Sequence, residues 1–159
     1  MRCGLLLAGA LVVAALGSAA SAADDAADMP DGKRIQGAWK QALKIEKGVE
    51  TKTDDGDESQ LTLRVTFEER NLKVFLGPKG APIEIPGTYF LDPDQTPKVI
   101  DVTITGGDGG TNEVHAIYMF DNDRLQLRIR NGGGQRPIGF ETPEDDCSTI
   151  VFRRIMPGE

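Results

Sequence analysis

The sequence predicts an all-β fold, an antiparallel up-and-down barrel of about eight strands. Three observations carry that prediction. Apolar and polar residues alternate at period two over short runs, most plainly in Leu61–Phe67 and Lys98–Thr105. Clusters of Gly, Pro, Asn and Asp punctuate those runs. No stretch carries a convincing long helical repeat. Sequential hairpins of this kind build a barrel or a sandwich, and closure removes the strand edges that invite aggregation.

Residues 1–22 read as a signal peptide. Met1-Arg2 is a short positive start, Cys3 to Gly17 is apolar but too short to span a bilayer, and Ala20-Ser21-Ala22 is a small-x-small cleavage site. Cys3 precedes the apolar run, so it does not look like a lipid-attachment cysteine. Cleavage removes 22 of 159 residues and leaves 137, enough for one domain with one core. The removed piece takes Arg2 and no acid, so the net charge moves from −7 to −8. An acidic chain argues against binding nucleic acid through its phosphates and against adhesion to anionic membranes. It fits an exported protein with no stable membrane insertion after cleavage, periplasmic or secreted. Cys147 is then the remaining cysteine, which excludes an internal disulfide. It reads as a small, partly buried side chain, with an intermolecular bridge as the alternative.

Residues 23–32 are acidic, Ala-rich and Pro-containing, a disordered leader. The barrel domain then runs over 33–156. Lys33 to Ile45 opens it as a strand, with Ile35, Gly37, Trp39 and Leu43 on one face; a helix over Ala38–Glu46 is the competing reading. Gly48 to Gln60 reads as a polar loop around Asp54–Glu58. Its acids do not match the spacing of a calcium loop, so they form a solvated tip. Leu61–Phe67 and Leu72–Leu76 form a hairpin, with Leu61, Leu63, Val65 and Phe67 facing one way. Ile83–Leu91 is a strand bent or bulged at Pro86-Gly87. The prolines of Asp92–Pro97 make a turn, and Ile100, Val102 and Ile104 share a face of the next strand.

Gly106–Gly110 is a flexible tip and not a phosphate loop, since no G-x-x-x-x-G-K-[ST] is present. In Glu113–Phe120 the inward set is Val114, Ala116, Tyr118 and Phe120, although Ile117 and Met119 make the other face apolar too. After the turn at Asp121–Arg124, Leu125, Leu127 and Ile129 face in, against outward Gln126, Arg128 and Arg130. Asn131–Gln135 is a tip, Pro137–Phe140 a short strand, Glu141–Cys147 an acidic loop and Ser148–Ile155 the last strand. That strand is expected to return beside the first and close the barrel. An arginine there, Arg153 or Arg154, covers the Trp39 indole in a cation–π contact of about 0.5–2 kcal/mol. Gly37, Trp39 and Arg153 are thus the candidate structural residues.

Groups able to do chemistry are scarce. His115 is the one histidine; a general base is one reading, but with no evident nucleophile it reads as a strand histidine hydrogen-bonded to a neighbour or to water. There is no G-x-S-x-G elbow and no H-E-x-x-H, and one His with one Cys cannot make the usual zinc site. The carboxylates Glu144, Asp145, Asp146, Asp121 and Asp123 lie in predicted turns, where solvated acids are the norm. Arg124, Arg128, Arg130 and Arg136 form either an anion-binding strip or cross-strand pairs with acids. Neither a catalytic residue, a metal nor a cofactor is assigned.

These residues carry a resemblance. Ile35-Gln36-Gly37-Ala38-Trp39-Lys40 resembles the first-strand Gly-x-Trp of lipocalin-like barrels. Gly87–Pro93 with Thr96–Val102, Ile117–Leu127, Arg136-Pro137 and Val151–Arg154 resemble an uncharacterised family of exported lipocalin-like domains abundant in planctomycete bacteria. The resemblance spans about Ile35 to Ile155. It implies a lipocalin-like barrel outside the cytoplasm and brings no activity with it.

The expected function is a non-enzymatic binding module for a small apolar or amphipathic ligand, with Phe67, Tyr118 and Leu127 lining the barrel. The alternative is a protein-interaction or inhibitor-like domain. In that reading the barrel is solid and the tips Thr51–Ser59, Gly106–Asn112 and Asn131–Gln135 do the work.

Overall fold

A computed structural model describes residues 29–53, 61–78, 80–141, 145–156 and 158. The signal segment, most of the leader and the acidic tip at 54–60 lie outside the described residues. Among the described residues, one helical turn, α1 (Asp31–Arg34), precedes nine strands: β1 (Gly37–Glu46), β2 (Val49–Lys52), β3 (Thr62–Glu68), β4 (Asn71–Gly77), β5 (Ile83–Asp92), β6 (Val99–Thr105), β7 (Thr111–Asp121), β8 (Arg124–Arg130) and β9 (Cys147–Arg154).

All pairings are antiparallel. Strands β3 to β9 are neighbours in chain order, and β1 pairs with β3 on one side and β9 on the other. The result is a closed up-and-down barrel of eight strands, with β2 added as a hairpin on the upper half of β1. The expected closure therefore holds: Trp39 on the first barrel strand pairs with Arg154 on the last. The β1–β2 turn places both Lys47 and Gly48 at positive φ, the requirement of a two-residue type I′ hairpin.

One end of the barrel is packed solid. Here Phe67 meets Tyr89 edge-on at 4.9 Å, Tyr118 meets Phe120 edge-on at 5.8 Å, and Trp39 lies 6.2 Å from Phe120. The α1 turn and Ile35 close this floor. Trp39 Nε1 donates to the Ile35 carbonyl, and the Tyr118 hydroxyl donates to Asp31 at 2.7 Å. Gln36 donates to Tyr89 and accepts from the Glu69 backbone, tying α1 to the β3–β4 turn. Asp31 and Gly32, read from sequence as the end of a disordered leader, are thus the first residues of the plug. Ile35 caps α1 and is not in a strand.

Several local readings are corrected. Val49–Lys52, taken as loop, is a strand, because β1 outruns its pairing with β3 and leaves Leu43–Glu46 free to pair. Leu61 lies outside β3 and is exposed. Pro86-Gly87 makes no bulge: the register with β4 runs through it unbroken. Gly87 is needed there for a different reason, since a Cβ would lie 2.4 Å from the Thr103 carbonyl oxygen. Pro137–Phe140 is not a strand. It belongs to a strap, residues 131–141, that folds over the outer face. Arg136 Nε donates to the Ala116 carbonyl and Arg128 Nη1 to the Phe140 carbonyl, so the strap brackets Ile117 and buries it from outside.

The cation over Trp39 is Arg154, not Arg153, with its guanidinium carbon 4.2 Å from the ring centroid. The reason is phase. Phe152 points into the core, so Arg154, two residues on, shares its face. Arg153 pairs with Lys40 and Arg124 on the outer face. Gly37 sits at φ +102°, and a Cβ there would press on an Arg154 nitrogen.

Candidate functional site

Burial along the inward-facing positions changes steeply from floor to mouth. On β4 the inward residues are Leu72, Val74 and Leu76, and they pass from 2% exposed through half-buried to 44%. Their neighbours repeat the gradient. Phe67 and Val65 on β3 are buried and Leu63 half-buried; Tyr89 on β5 is buried, Ile85 half-buried and Ile83 68% exposed. On β6, β8 and β9, Ile100, Leu125 and Phe152 are buried, while Val102, Leu127 and Ile150 above them are half-buried. One end of the interior is core. The other is an apolar cup that solvent enters, the concave and largely oily surface of a ligand site.

The structure places the three sequence-predicted lining residues unequally. Phe67 and Tyr118 are buried in the floor. Leu127 lies above it on the wall of the cup. Val114, already in the inward set of its strand, completes the wall with Leu76, Ile83 and Ile85, which were not singled out from the sequence. Their signal was present, for each continues an inward alternation toward a top turn.

One sector of the wall is polar. A β-bulge at Ala42 shifts the register of β1 against β9 between Gln41 and Leu43. Below the bulge Trp39 faces in. Above it Lys44 pairs with inward Ile150, and Glu46 with Ser148. The sequence reading placed Leu43 on the Trp39 face; the bulge turns Leu43 to the outer face opposite Val151 and brings Lys44 and Glu46 inside. Lys44 Nζ lies 2.8 Å from Glu46, and that contact draws the Glu46 carboxyl below its ordinary pKa. Asn131 donates to Glu46 and accepts from the buried Ser148 hydroxyl. A recess of about 270 Å³ lies beside the Asn131–Gly134 turn, lined also by Val114, His115, Ile129 and Arg130.

The titratable groups elsewhere hold structure. His115 lies on the outer face, its Nδ1 2.7 Å from Asp101, which also pairs with Arg136 of the strap. Burial works against the Asp101 charge, but hydrogen bonds from His115 and Arg136 outweigh it and hold the carboxyl below its usual range. Arg130 pairs with Asp146 and donates to the Gln135 carbonyl. Arg128, Arg130 and Arg136 therefore hold the strap, which answers the strip reading: they face the chain's own return segment. Among the described residues no group of three His, Cys, Asp or Glu is placed to hold a metal. No helix among them is long and apolar enough to cross a membrane. Cys147 is buried and is not in a disulfide.

Comparison with known proteins gives a likeness in fold. A lipocalin-like protein from Bacteroides uniformis ATCC 8492 aligns over 76% of this chain and 98% of its own, at 13% identity and a TM-score of 0.46. An uncharacterized protein from Bacteroides eggerthii DSM 20697 aligns over 76% and 99%, at 15% identity and a TM-score of 0.44. No protein-family model matches the chain, and no curated protein matches it.

Proposed function

We propose that this protein is an extracytoplasmic, non-enzymatic binding module that carries one small apolar or amphipathic molecule in the open half of its barrel. The observation that carries the reading is the exposure of Leu76 and Ile83 on the face whose other end holds the buried Leu72 and Tyr89. Apolar surface left wet inside a concave wall stabilises whatever covers it, by about 25 cal/mol per Å². The signal-like segment 1–22 supports export. The single histidine, engaged on the outside of the barrel, supports a role without catalysis. The same reading groups the chain with the exported planctomycete lipocalin-like domains that its Gly87–Val102 and Ile117–Leu127 blocks resemble.

The test is a titration of the purified protein with an environment-sensitive apolar fluorophore. Saturable binding is expected, weakened roughly tenfold by Ile83→Asp or Leu76→Asp at an unchanged melting temperature. A folded wild-type protein that binds no such molecule removes the reading. Binding that ignores both substitutions but is lost on shortening the 106–112 tip moves the function to the loops.

A further inference from the structure

The cup is apolar around most of its wall and charged in one place, and that place is made by a backbone irregularity. Regular alternation would continue the Trp39 face through Leu43 and Ile45, giving an oily wall all round. The bulge at Ala42 instead turns Lys44 and Glu46 inward, beside Ile150 and Ser148. Bulges recur where a sheet must re-aim a side chain toward a site. Among the described inward-facing positions above the floor, Lys44 is the one cation and Glu46 the one anion.

Their hydrogen-bonding capacity is unequal. The Glu46 oxygens are both engaged: Oε2 lies 2.8 Å from Lys44 Nζ, and Oε1 accepts from Asn131. Asn131 is fixed in turn by Ser148. An ammonium has three donors, and the contact to Glu46 uses one. The sector therefore has N–H donors to spare and few free acceptors. Glu46 also repels a doubly charged group next to it. We infer that the cup selects a single-chain amphiphile with a singly charged anionic head such as a carboxylate, its chain on the Leu63–Leu76–Ile83 wall and its head on Lys44. This rests on the proposed function, because it names the ligand class for the same cup.

The experiment compares dodecanoic acid with dodecan-1-ol, two molecules of equal chain length, as competitors of the bound fluorophore near neutral pH. The acid is expected to bind about tenfold more tightly to the wild type, the scale of one charge-assisted hydrogen bond. Lys44→Met should bring the ratio to about one while leaving the alcohol unchanged, with Lys44→Gln as a polar replacement giving the same result. Glu46→Gln should raise the acid's affinity. If acid and alcohol compete equally in the wild type, or if the preference survives in both Lys44 variants, the head-group assignment falls and the cup reading stands. If the folded wild type binds neither molecule, both fall together.

Discussion

The Arg154 guanidinium lies over the Trp39 indole, its central carbon 4.2 Å from the ring centroid, while donating to the Gln36 and Arg34 carbonyls at 2.6 Å each. One side chain thus joins the last strand to the first and to the end of α1. It satisfies backbone carbonyls that the chain leaves open as it passes from helix to strand. Arg34 repeats the arrangement over Phe120 at 4.4 Å.

Arg154→Met should therefore destabilise the protein by about 2–3 kcal/mol, losing a cation–π contact and two hydrogen bonds to charge. Arg153→Met should cost less than Arg154→Met, since Arg153 lies on the outer face, away from the indole. Urea unfolding followed by the single tryptophan reads both. Equal losses in the two variants would contradict the assignment of Arg154 to the indole.

Floor and mouth should respond differently to the same truncation. Leu72→Ala removes a side chain with no exposed surface to relax into and should cost about 2–4 kcal/mol. Leu76→Ala, two residues up the same face, should cost under about 1 kcal/mol. Calorimetric melting of the pair is sufficient, and equal costs would mean that the mouth is packed.

Alkali should unfold the barrel from its floor. Burial, and for Tyr118 the hydrogen bond to Asp31, raises both tyrosine pKa values above 10.0; for Tyr89 the Gln36 hydrogen bond opposes part of the effect. In this range the native state holds protons that the unfolded chain releases, so stability is full below pH 10 and falls as pH rises above it. Absorbance of tyrosinate should appear together with unfolding, and Tyr118→Phe should flatten the loss. Ionisation of both tyrosines in a still-folded protein would refute this.

At the acid end the sign reverses. The Asp101 pKa lies below 3.8 in the folded state, so its contribution is present above that value and is lost as pH falls through the folded pKa. Asp101→Asn should cost about 1 kcal/mol near neutrality, a modest figure for a half-exposed group, and should weaken the acid dependence of the melting temperature. Hydrogen exchange should rise first in the strap held by Arg136. An unchanged strap in the variant would show that Asp101 does not hold it.

Gly87→Ala should destabilise by roughly 1–3 kcal/mol, because the new methyl group meets the Thr103 carbonyl of the neighbouring strand at 2.4 Å. Chemical denaturation measures it, and a neutral outcome would mean that β5 and β6 can part at that point.

Much of the fold was legible in the residues. The inward sets Val65–Phe67, Ile100–Ile104, Ala116–Phe120 and Leu125–Ile129 follow from period-two alternation, because successive strand side chains must point to opposite sides. Tyr118 and Ile117 were ambiguous because both faces of β7 are apolar. The strap explains this: Ile117 is buried on the outer face, where Arg136 and Phe140 bond to its neighbours Ala116 and Arg128, an arrangement that no local pattern announces. The cup was half legible, since Leu127 was named, but Phe67 and Tyr118 went to the floor once α1 sealed that end.

By itself, then, the sequence determined most of the strands, their order around the barrel and the inward direction of most of their apolar side chains, all local properties of alternation and turn chemistry. Tertiary structure alone decided which arginine covers Trp39, which half of the interior is core, and that Lys44 and Glu46 face inward. Those depend on register between strands far apart in the chain. A one-residue shift at Ala42 exchanges the two faces of everything beyond it, and only pairing with β9 sets that shift.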